Sequence, residues 1–371
     1  MKKLPLNILV VGCGGIAEAH LPAFLRFPEE MRVAGLADPQ ERGREALAQC
    51  LGLKDAEIGF TGPEEAFDAM GEKIDAVLIL TPHHLHFPVA LTAIKAGKDV
   101  LVEKPVSTGL ADAHDLLAAA EQTGVTVMAG QTRRFGREVI ALKQWLQADP
   151  RNFGALRTFE MSGWQNIEAW IASKPDKNAD FWILDKERAG GGVVVSLLVH
   201  YIYLIRFLFE TDYREVSARG RFDPPFKNGA ESSATALLTT DNGATGTLHG
   251  NYLARRTPWN EAFKAFGEYG VVGNHPAAFG DYDGPIFHGS SHGHEPGKWE
   301  DQYRGIGPLS QEASSSLDAN PFVNQLREFV SAIREKREPE SSLRANLNTL
   351  ATIEALYESI ANKGRTMEVP R

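Results

Sequence analysis

The stretch ILVVGCGGIAEAH, residues 8–20, limits what this chain can fold into more than any other. A short apolar, β-branched run ends in Gly12-x-Gly14-x-x-Ala17, and a helical pattern over Ala17–Phe27 follows at once. Glycine at 12 permits a tight turn, glycine at 14 lets a pyrophosphate come close to the backbone, and alanine at 17 lets helix and strand pack closely. The helix then offers unpaired N–H groups and the positive end of its dipole. Strand, glycine loop and helix in that order point to a βαβ unit that binds a dinucleotide through Gly12, Gly14, Gly15 and Ile16.

The second strand supports this. It ends in Ala37-Asp38-Pro39, where the Asp38 carboxylate is placed to accept from the adenosine ribose hydroxyls. The same charge repels a 2′-phosphate, so NAD is expected rather than NADP, although Arg42 and Arg44 lie close enough to soften that preference. Asp38 is also a natural N-cap, with Pro39 at the first helical position, and the two roles are compatible.

Along the first third, strand-like runs at 6–11, 32–37, 75–80, 100–102 and 126–129 alternate with helical patterns at 17–27, 41–51, 86–96 and 111–121. This predicts an α/β fold with a parallel sheet. Ala96-Gly97-Lys98 and Thr123-Gly124 are helix stops of the C-cap glycine kind. After Phe135 a helix at 138–148 precedes strand-like runs at 155–161, 215–221, 233–240, 245–253 and 262–267, with Asn242-Gly243 as a hairpin turn. A long helix at 192–209 interrupts them, residues 273–316 read as loop, and helices at 321–335 and 342–362 close the chain. The expectation is a dinucleotide-binding domain over 1–130 and an α+β domain with a large, mainly antiparallel, open-faced sheet over 131–371, its last helix packing back on the first domain. A length of 371 residues suits two domains.

The net charge of −9, without a basic stripe, argues against a nucleic-acid partner. The two cysteines, Cys13 and Cys50, imply neither a disulfide framework nor a metal site. The N-terminal apolar run is too short to span a bilayer and reads as the first strand, so a cytoplasmic protein with no membrane partner is expected.

Ligands of open parallel sheets bind beyond the carboxyl ends of the strands. Three such ends carry polar or constrained groups: Gly12–Gly15; Thr81-Pro82-His83-His84 with His86 behind; and Glu103-Lys104-Pro105. Lys104 falls where a substrate meets a nicotinamide. Hydride transfer from a carbinol requires loss of the hydroxyl proton, and a lysine takes it if its pKa falls toward the working pH. Glu103 is expected to orient Lys104 or to bond backbone amides, and Pro105 allows a cis bond after Lys104. The cofactor contacts expected here are Thr81, Pro82, His86, Glu103 and Lys104. The clustered imidazoles His83, His84 and His86 invite a metal reading, but they occupy the cofactor-side loop and no metal is expected.

TPHHLHFPVALTAIKAGKDVLVEKPVST, residues 81–108, resembles the Gfo/Idh/MocA oxidoreductases (glucose–fructose oxidoreductase, inositol dehydrogenase and relatives). VMAGQTRRF, residues 127–135, and AGGGVVVSLLVHYIYLIRFLF, residues 189–209, extend the similarity from the first strand to the last helix. The resemblance implies a nicotinamide-dependent dehydrogenase acting on a small polyhydroxylated substrate such as a sugar or cyclitol. It implies Lys104 and His200 as catalytic residues, and a homodimer or homotetramer packed through the open face of the second sheet. Where the family helix reads Asp-x-x-x-His-x-x-Asp, this chain has Ser196, His200 and Tyr203. With both acids gone, His200 is a proton carrier, a substrate ligand or a core histidine. Arg134, Trp164, Ser196, His200 and Tyr203 are expected to hold the substrate. The histidines at 275, 288, 292 and 294 read as a solvated or substrate-lid loop. Two rival readings remain: an NAD-dependent glycosidase that oxidises its sugar transiently, and a non-catalytic dinucleotide sensor.

Overall fold

The computed structural model describes residues 3–54, 58–173, 181–255, 260–274, 287–291 and 317–371. The chain divides into two compact units, Met1–Phe135 with Asn320–Leu347, and Gly136–Ala319 with Asn348–Arg371.

The first unit alternates β1 (Leu6–Val11), α1 (Gly15–Arg26), β2 (Met31–Ala37), α2 (Glu41–Cys50), β3 (Gly59–Phe60), α3 (Pro63–Met70), β4 (Ala76–Ile79), α4 (His86–Lys95), β5 (Asp99–Glu103), α5 (Leu110–Thr123) and β6 (Val127–Gly130). The strands lie in the order β3-β2-β1-β4-β5-β6, and every pair is parallel. β4 and β5 are buried at every position, as strands covered on both faces must be, which is why they read as unbroken apolar runs. Gly97 and Gly124 end α4 and α5 at positive φ, 70° and 71°. β3 and α3 were not expected; β3 is only two residues long and carries no periodicity.

The segment that returns to this unit is Asn320–Leu347. Its helix, Pro321–Glu335, starts where the Asn320 side chain accepts the Phe322 N–H. Val323, Leu326, Phe329, Val330 and Ile333 enter the same core as Leu6, Phe24, Leu36 and Met128. By contacts the first unit runs to Phe135, and the returning element is the penultimate helix with the start of the last. Its amphipathic pattern fixes that one face is buried, not which core receives it.

The second unit contains α6 (Arg137–Ala148), β7 (Leu156–Trp164), α7 (Ile167–Ala172), α8 (Lys186–Ala189), a π-helical stretch Val194–Leu198 that runs into α9 (Val199–Phe209), β8 (Tyr213–Arg221), β9 (Ser233–Thr240), β10 (Thr245–Asn251), β11 (Asn260–Gly267), β12 (Gly270–Asn274), β13 (Phe287–Ser291) and β14 (Met367–Glu368). The sheet order is β13-β12-β11-β7-β10-β9-β8-β14. All pairs are antiparallel except β7 with β10. Gly243 turns the β9–β10 hairpin at φ 85°.

One expectation is corrected here. The segment 273–316 is not loop throughout, since β12 reaches Asn274 and β13 pairs with it. His275, His292 and His294 lie outside the described residues, as does the side chain of His288.

Lys186–Phe209 is long and apolar enough to cross a membrane, but 78% of its most apolar window is buried inside the structure, as befits a core helix. Two sheet glycines let it approach. A Cβ at Gly163 would sit 3.0 Å from Leu197, and one at Gly250 2.8 Å from Leu198 and Val193.

Candidate active site

In the sheet of the first unit β1, β4 and β5 are neighbours, so Gly12–Gly15, Thr81-Pro82 and Glu103-Lys104 stand side by side at their carboxyl ends. This is where the strand order reverses, the crevice in which open parallel sheets bind their ligands.

The glycine loop is built by close packing on one side and open space on the other. Gly12 has φ 96°, and a Cβ there would lie 2.7 Å from the Leu80 carbonyl carbon and 2.9 Å from the Thr81 nitrogen. Gly14, the N-cap of α1, would place a Cβ with nothing within 4 Å. That opening above a helix N-terminus fits a pyrophosphate. The Asp38 carboxylate accepts the Cys13 N–H at 2.8 Å with one oxygen and the Gln40 N–H at 2.8 Å with the other. It ties the loop to the end of β2 and, half-buried, keeps lone pairs for a ribose. It does not N-cap α2, where Gln40 holds that position without a side-chain bond. Arg44 is buried and donates to the Asp38 carbonyl at 2.5 Å, whereas Arg42 is exposed. Ile16 is 40% exposed beside this opening.

At the other two strand ends, the Thr81 hydroxyl oxygen is buried and has no hydrogen-bond partner among the described residues, as suits a group that awaits a ligand. His86 is fully buried at the start of α4. Its Nδ1 lies 2.7 Å from the Pro105 carbonyl and its Nε2 2.7 Å from the Thr81 carbonyl. The ring therefore clamps the ends of β4 and β5 together, and both its nitrogens are turned to main chain. Carbonyls only accept, so a neutral ring donates to one and a protonated ring to both. Burial pushes its pKa below the ordinary value; the two carbonyls and the charge of Glu103 oppose this, and Lys104 adds to it. Glu103 is buried and accepts the Lys104 N–H at 3.2 Å, while the peptide between Lys104 and Pro105 is cis. Lys104 itself is half-buried.

Sequence reasoning missed His20. It lies on α1, 1% exposed, with Nε2 3.2 Å from Glu103 Oε1. The signal was a lone imidazole at a buried position of an amphipathic helix; its partner, 83 residues away, was not legible. Arg134, expected to hold substrate, spends its guanidinium on Glu340, donating to the carboxylate at 2.8 Å and to the carbonyl.

In the second unit the glycine-led helix begins on a buried acid. Glu231 accepts the Gly192 N–H at 2.9 Å, the Val194 N–H at 2.8 Å and the Tyr357 hydroxyl at 3.1 Å. A Cβ at Gly192 would lie 1.9 Å from the Glu231 carbonyl oxygen, and one at Gly191 1.8 Å from the Tyr357 hydroxyl, which explains the glycines. Burial raises the Glu231 pKa, and the bonds it accepts oppose the shift.

Along that helix every residue from Val193 to Val199 is buried, and His200 is the first with part of its surface exposed. The core-histidine reading predicts a position as buried as its neighbours. Ser196 is 5% exposed in the π-helical stretch and lies against the Tyr252 phenol, whose pKa is raised by burial and held back by the serine. Tyr203 is 4% exposed and stacked on Phe207, so it offers a ligand little surface. Trp164 faces away from this helix. Gly163 and Gly250, paired in the sheet, face Leu197 and Leu198, so their neighbours Trp164 and Asn251, also paired, point to the opposite, open face. Ser196 and His200 thus belong to the helix layer of this unit, and Trp164 does not.

Among the described residues no group of three or more His, Cys, Asp or Glu is arranged to hold a metal ion.

Comparison with known proteins accords with this geometry. Residues 6–131 match the NAD-binding Rossmann-fold model of the GFO/IDH/MocA oxidoreductase family, and residues 140–272 match the family's C-terminal domain. The chain is 26% identical to the D-apiose dehydrogenase of Paraburkholderia graminis over 97% of its own length and 88% of that protein's. An oxidoreductase domain protein from Kribbella flavida has the same fold, with a TM-score of 0.82 at 23% identity and full coverage of both chains. So does a levoglucosan dehydrogenase solved with NADH, with a TM-score of 0.78 at 20% identity over 99% of each chain. The first unit is an NAD-binding domain, the enzyme is an oxidoreductase, and the chain belongs to the Gfo/Idh/MocA family.

Proposed function

We propose that this enzyme moves a hydride between the nicotinamide of NAD(H) and a carbinol or carbonyl carbon of a sugar, cyclitol or related polyol, with Lys104 carrying the hydroxyl proton. The observation that carries the reading is the row of strand ends, which puts the glycine loop, the unpartnered Thr81 hydroxyl and Lys104 on adjacent strands. The curated relative that matches nearly the whole chain, D-apiose dehydrogenase, is named for a sugar.

When bound, NAD⁺ supplies the hydride acceptor. Gly12, Gly14, Gly15 and Ile16 cradle its pyrophosphate, Asp38 takes the adenosine ribose, and Thr81 and Pro82 line the nicotinamide side. His86 acts from behind, by fixing the main chain of Thr81 and Pro105. Glu103 anchors the main-chain N–H of Lys104, so the amine projects from a fixed base. Lys104 removes the proton from the substrate hydroxyl in one direction and returns it in the other. The helix of the second unit carries His200 and Ser196, which we assign to contact with substrate hydroxyls, Ser196 as a neutral hydrogen-bonding group where an acid is absent. We assign Trp164 and the open sheet face to subunit contact in a homodimer or homotetramer, and a cytoplasmic location suits such an enzyme.

A panel of sugars and cyclitols, followed by NADH absorbance, tests the proposal. On the substrate that turns over, Lys104→Met is expected to lower kcat by about 10²–10⁴. Its NAD⁺ affinity should stay within a few-fold of the parent. A Lys104→Met enzyme with full turnover overturns the assignment.

A further inference from the structure

His20 has no part in the chemistry above, yet it is among the most buried polar residues of the first unit, 1% exposed. It stands on the helix that begins at the glycine loop and faces Glu103 at the end of β5. The Glu103 carboxylate is divided between two donors: Oε1 lies 3.2 Å from His20 Nε2, and Oε2 accepts the Lys104 N–H at 3.2 Å. The space around the pair is filled. A Cβ at Gly130 would lie 3.0 Å from Glu103 Cα and 3.1 Å from its Oε1, and the Phe322 ring packs edge-on to the imidazole at 4.8 Å. His20 Nδ1 is buried without a hydrogen-bond partner among the described residues.

A carboxylate only accepts, so the bond to Glu103 is donated from Nε2. A further titratable group that acts on this spot is His86 on α4, which feels both Glu103 and Lys104 while its nitrogens face the Thr81 and Pro105 carbonyls.

We propose that His20 is a positioning residue for Lys104: by donating to Glu103 it holds that carboxylate turned to the Lys104 main chain, and so couples the cofactor-binding helix to the proton-carrying amine. The proposal rests on the reading of Lys104 given above. It makes His20 and Glu103 a single device, so removing either should do what removing both does.

The test needs no substrate. Full-length protein saturated with NAD⁺ is treated with a trace of acetic anhydride across a pH series, and acetylation of the Lys104 peptide is read by mass spectrometry. With the neighbouring negative charge removed or no longer held in place, neutral amine should be about tenfold more abundant at a given pH, a midpoint about one pH unit lower. That shift is expected in His20→Leu, in Glu103→Gln and, no larger, in the double variant. His20→Gln, which retains a side-chain N–H donor, should restore the parental midpoint. A parental midpoint in His20→Leu, or a double-variant shift equal to the sum of the singles, overturns the proposal. If His20→Leu does not fold, His20→Gln against Glu103→Gln decides: equal midpoints overturn it. The labelling reports the state of the amine whether or not Lys104 is catalytic, so loss of the catalytic reading would show separately, as turnover in Lys104→Met.

Discussion

Two glycines two residues apart should respond to the same substitution in opposite ways. At Gly12 the backbone has φ 96°, and an added methyl would lie 2.7, 2.8 and 2.9 Å from three main-chain atoms at the end of β4. No flexible side chain is there to yield. Left-handed strain of about 1–2 kcal/mol and overpacking of about 1–3 kcal/mol sum to roughly 2–5 kcal/mol for Gly12→Ala. In a unit of this size each kcal/mol lowers Tm by about 2–4 °C, so a fall of at least about 4 °C is expected. Gly14 has φ −80° and ψ −173°, open to any residue, and its Cβ would meet nothing within 4 Å. The small loss of N-cap preference is offset by the reduced freedom of the unfolded chain, leaving stability within about 0.5 kcal/mol. The methyl would instead occupy the space assigned to the pyrophosphate and weaken NAD⁺ at least tenfold, about 1.4 kcal/mol. Scanning calorimetry and NAD⁺ titration calorimetry on both variants separate the effects. A Gly14→Ala protein that melts as low as Gly12→Ala, or binds NAD⁺ like the parent, would refute the assignment of that space.

Two further outcomes are expected. Because the folded-state pKa of His86 lies below its ordinary 6.5, the unfolded chain binds the extra proton first as pH falls. Stability should therefore decline from about pH 6.5 downward, by up to about 1.4 kcal/mol per pH unit until the folded-state pKa is reached. Urea titrations at pH 7.5 and 5.5 should show a smaller drop in His86→Gln, and equal drops would contradict the assigned direction. On the open face, Leu237 is 63% exposed and Trp164 shares its side of the sheet. If that face joins subunits, Leu237→Asp with Trp164→Ala should reduce the mass measured by light scattering to that of a single chain, with NAD⁺ affinity unchanged. A monomeric parent would exclude the assignment.

The parallel sheet was legible because its strands announce themselves locally: buried runs such as Ala76–Ile79 and Asp99–Glu103 need no knowledge of their neighbours. The glycine loop was legible for the same reason, since turn, close approach and helix start occupy consecutive residues. β13 was not, because five residues, Phe287–Ser291, with a glycine in the middle carry no reliable alternation. The site expectations divide along the same line. Residue types at strand ends located the crevice, but a side chain's partner decides what it does there. Arg134 is bound to Glu340, 206 residues away, and Trp164 is turned to the far face by a strand parity that only the Gly163–Gly250 pairing reveals.

The same distinction explains how buried polar groups in both units are accommodated. Burying a charged or polar group is unfavourable unless its partners are in place, and here they come from elsewhere in the sequence: His20 to Glu103 across 83 residues, His86 to Pro105 across 19, Gly192 to Glu231 across 39. The EKP motif records that an acid and a base stand at a strand end, but its local residues leave open whether the acid opposes the base or anchors it. In the folded chain Glu103 bonds the main chain of Lys104 on one side and a histidine from the cofactor-binding helix on the other. The acid at this strand end therefore holds the main chain of Lys104, and it is itself held by a residue of the glycine-loop helix.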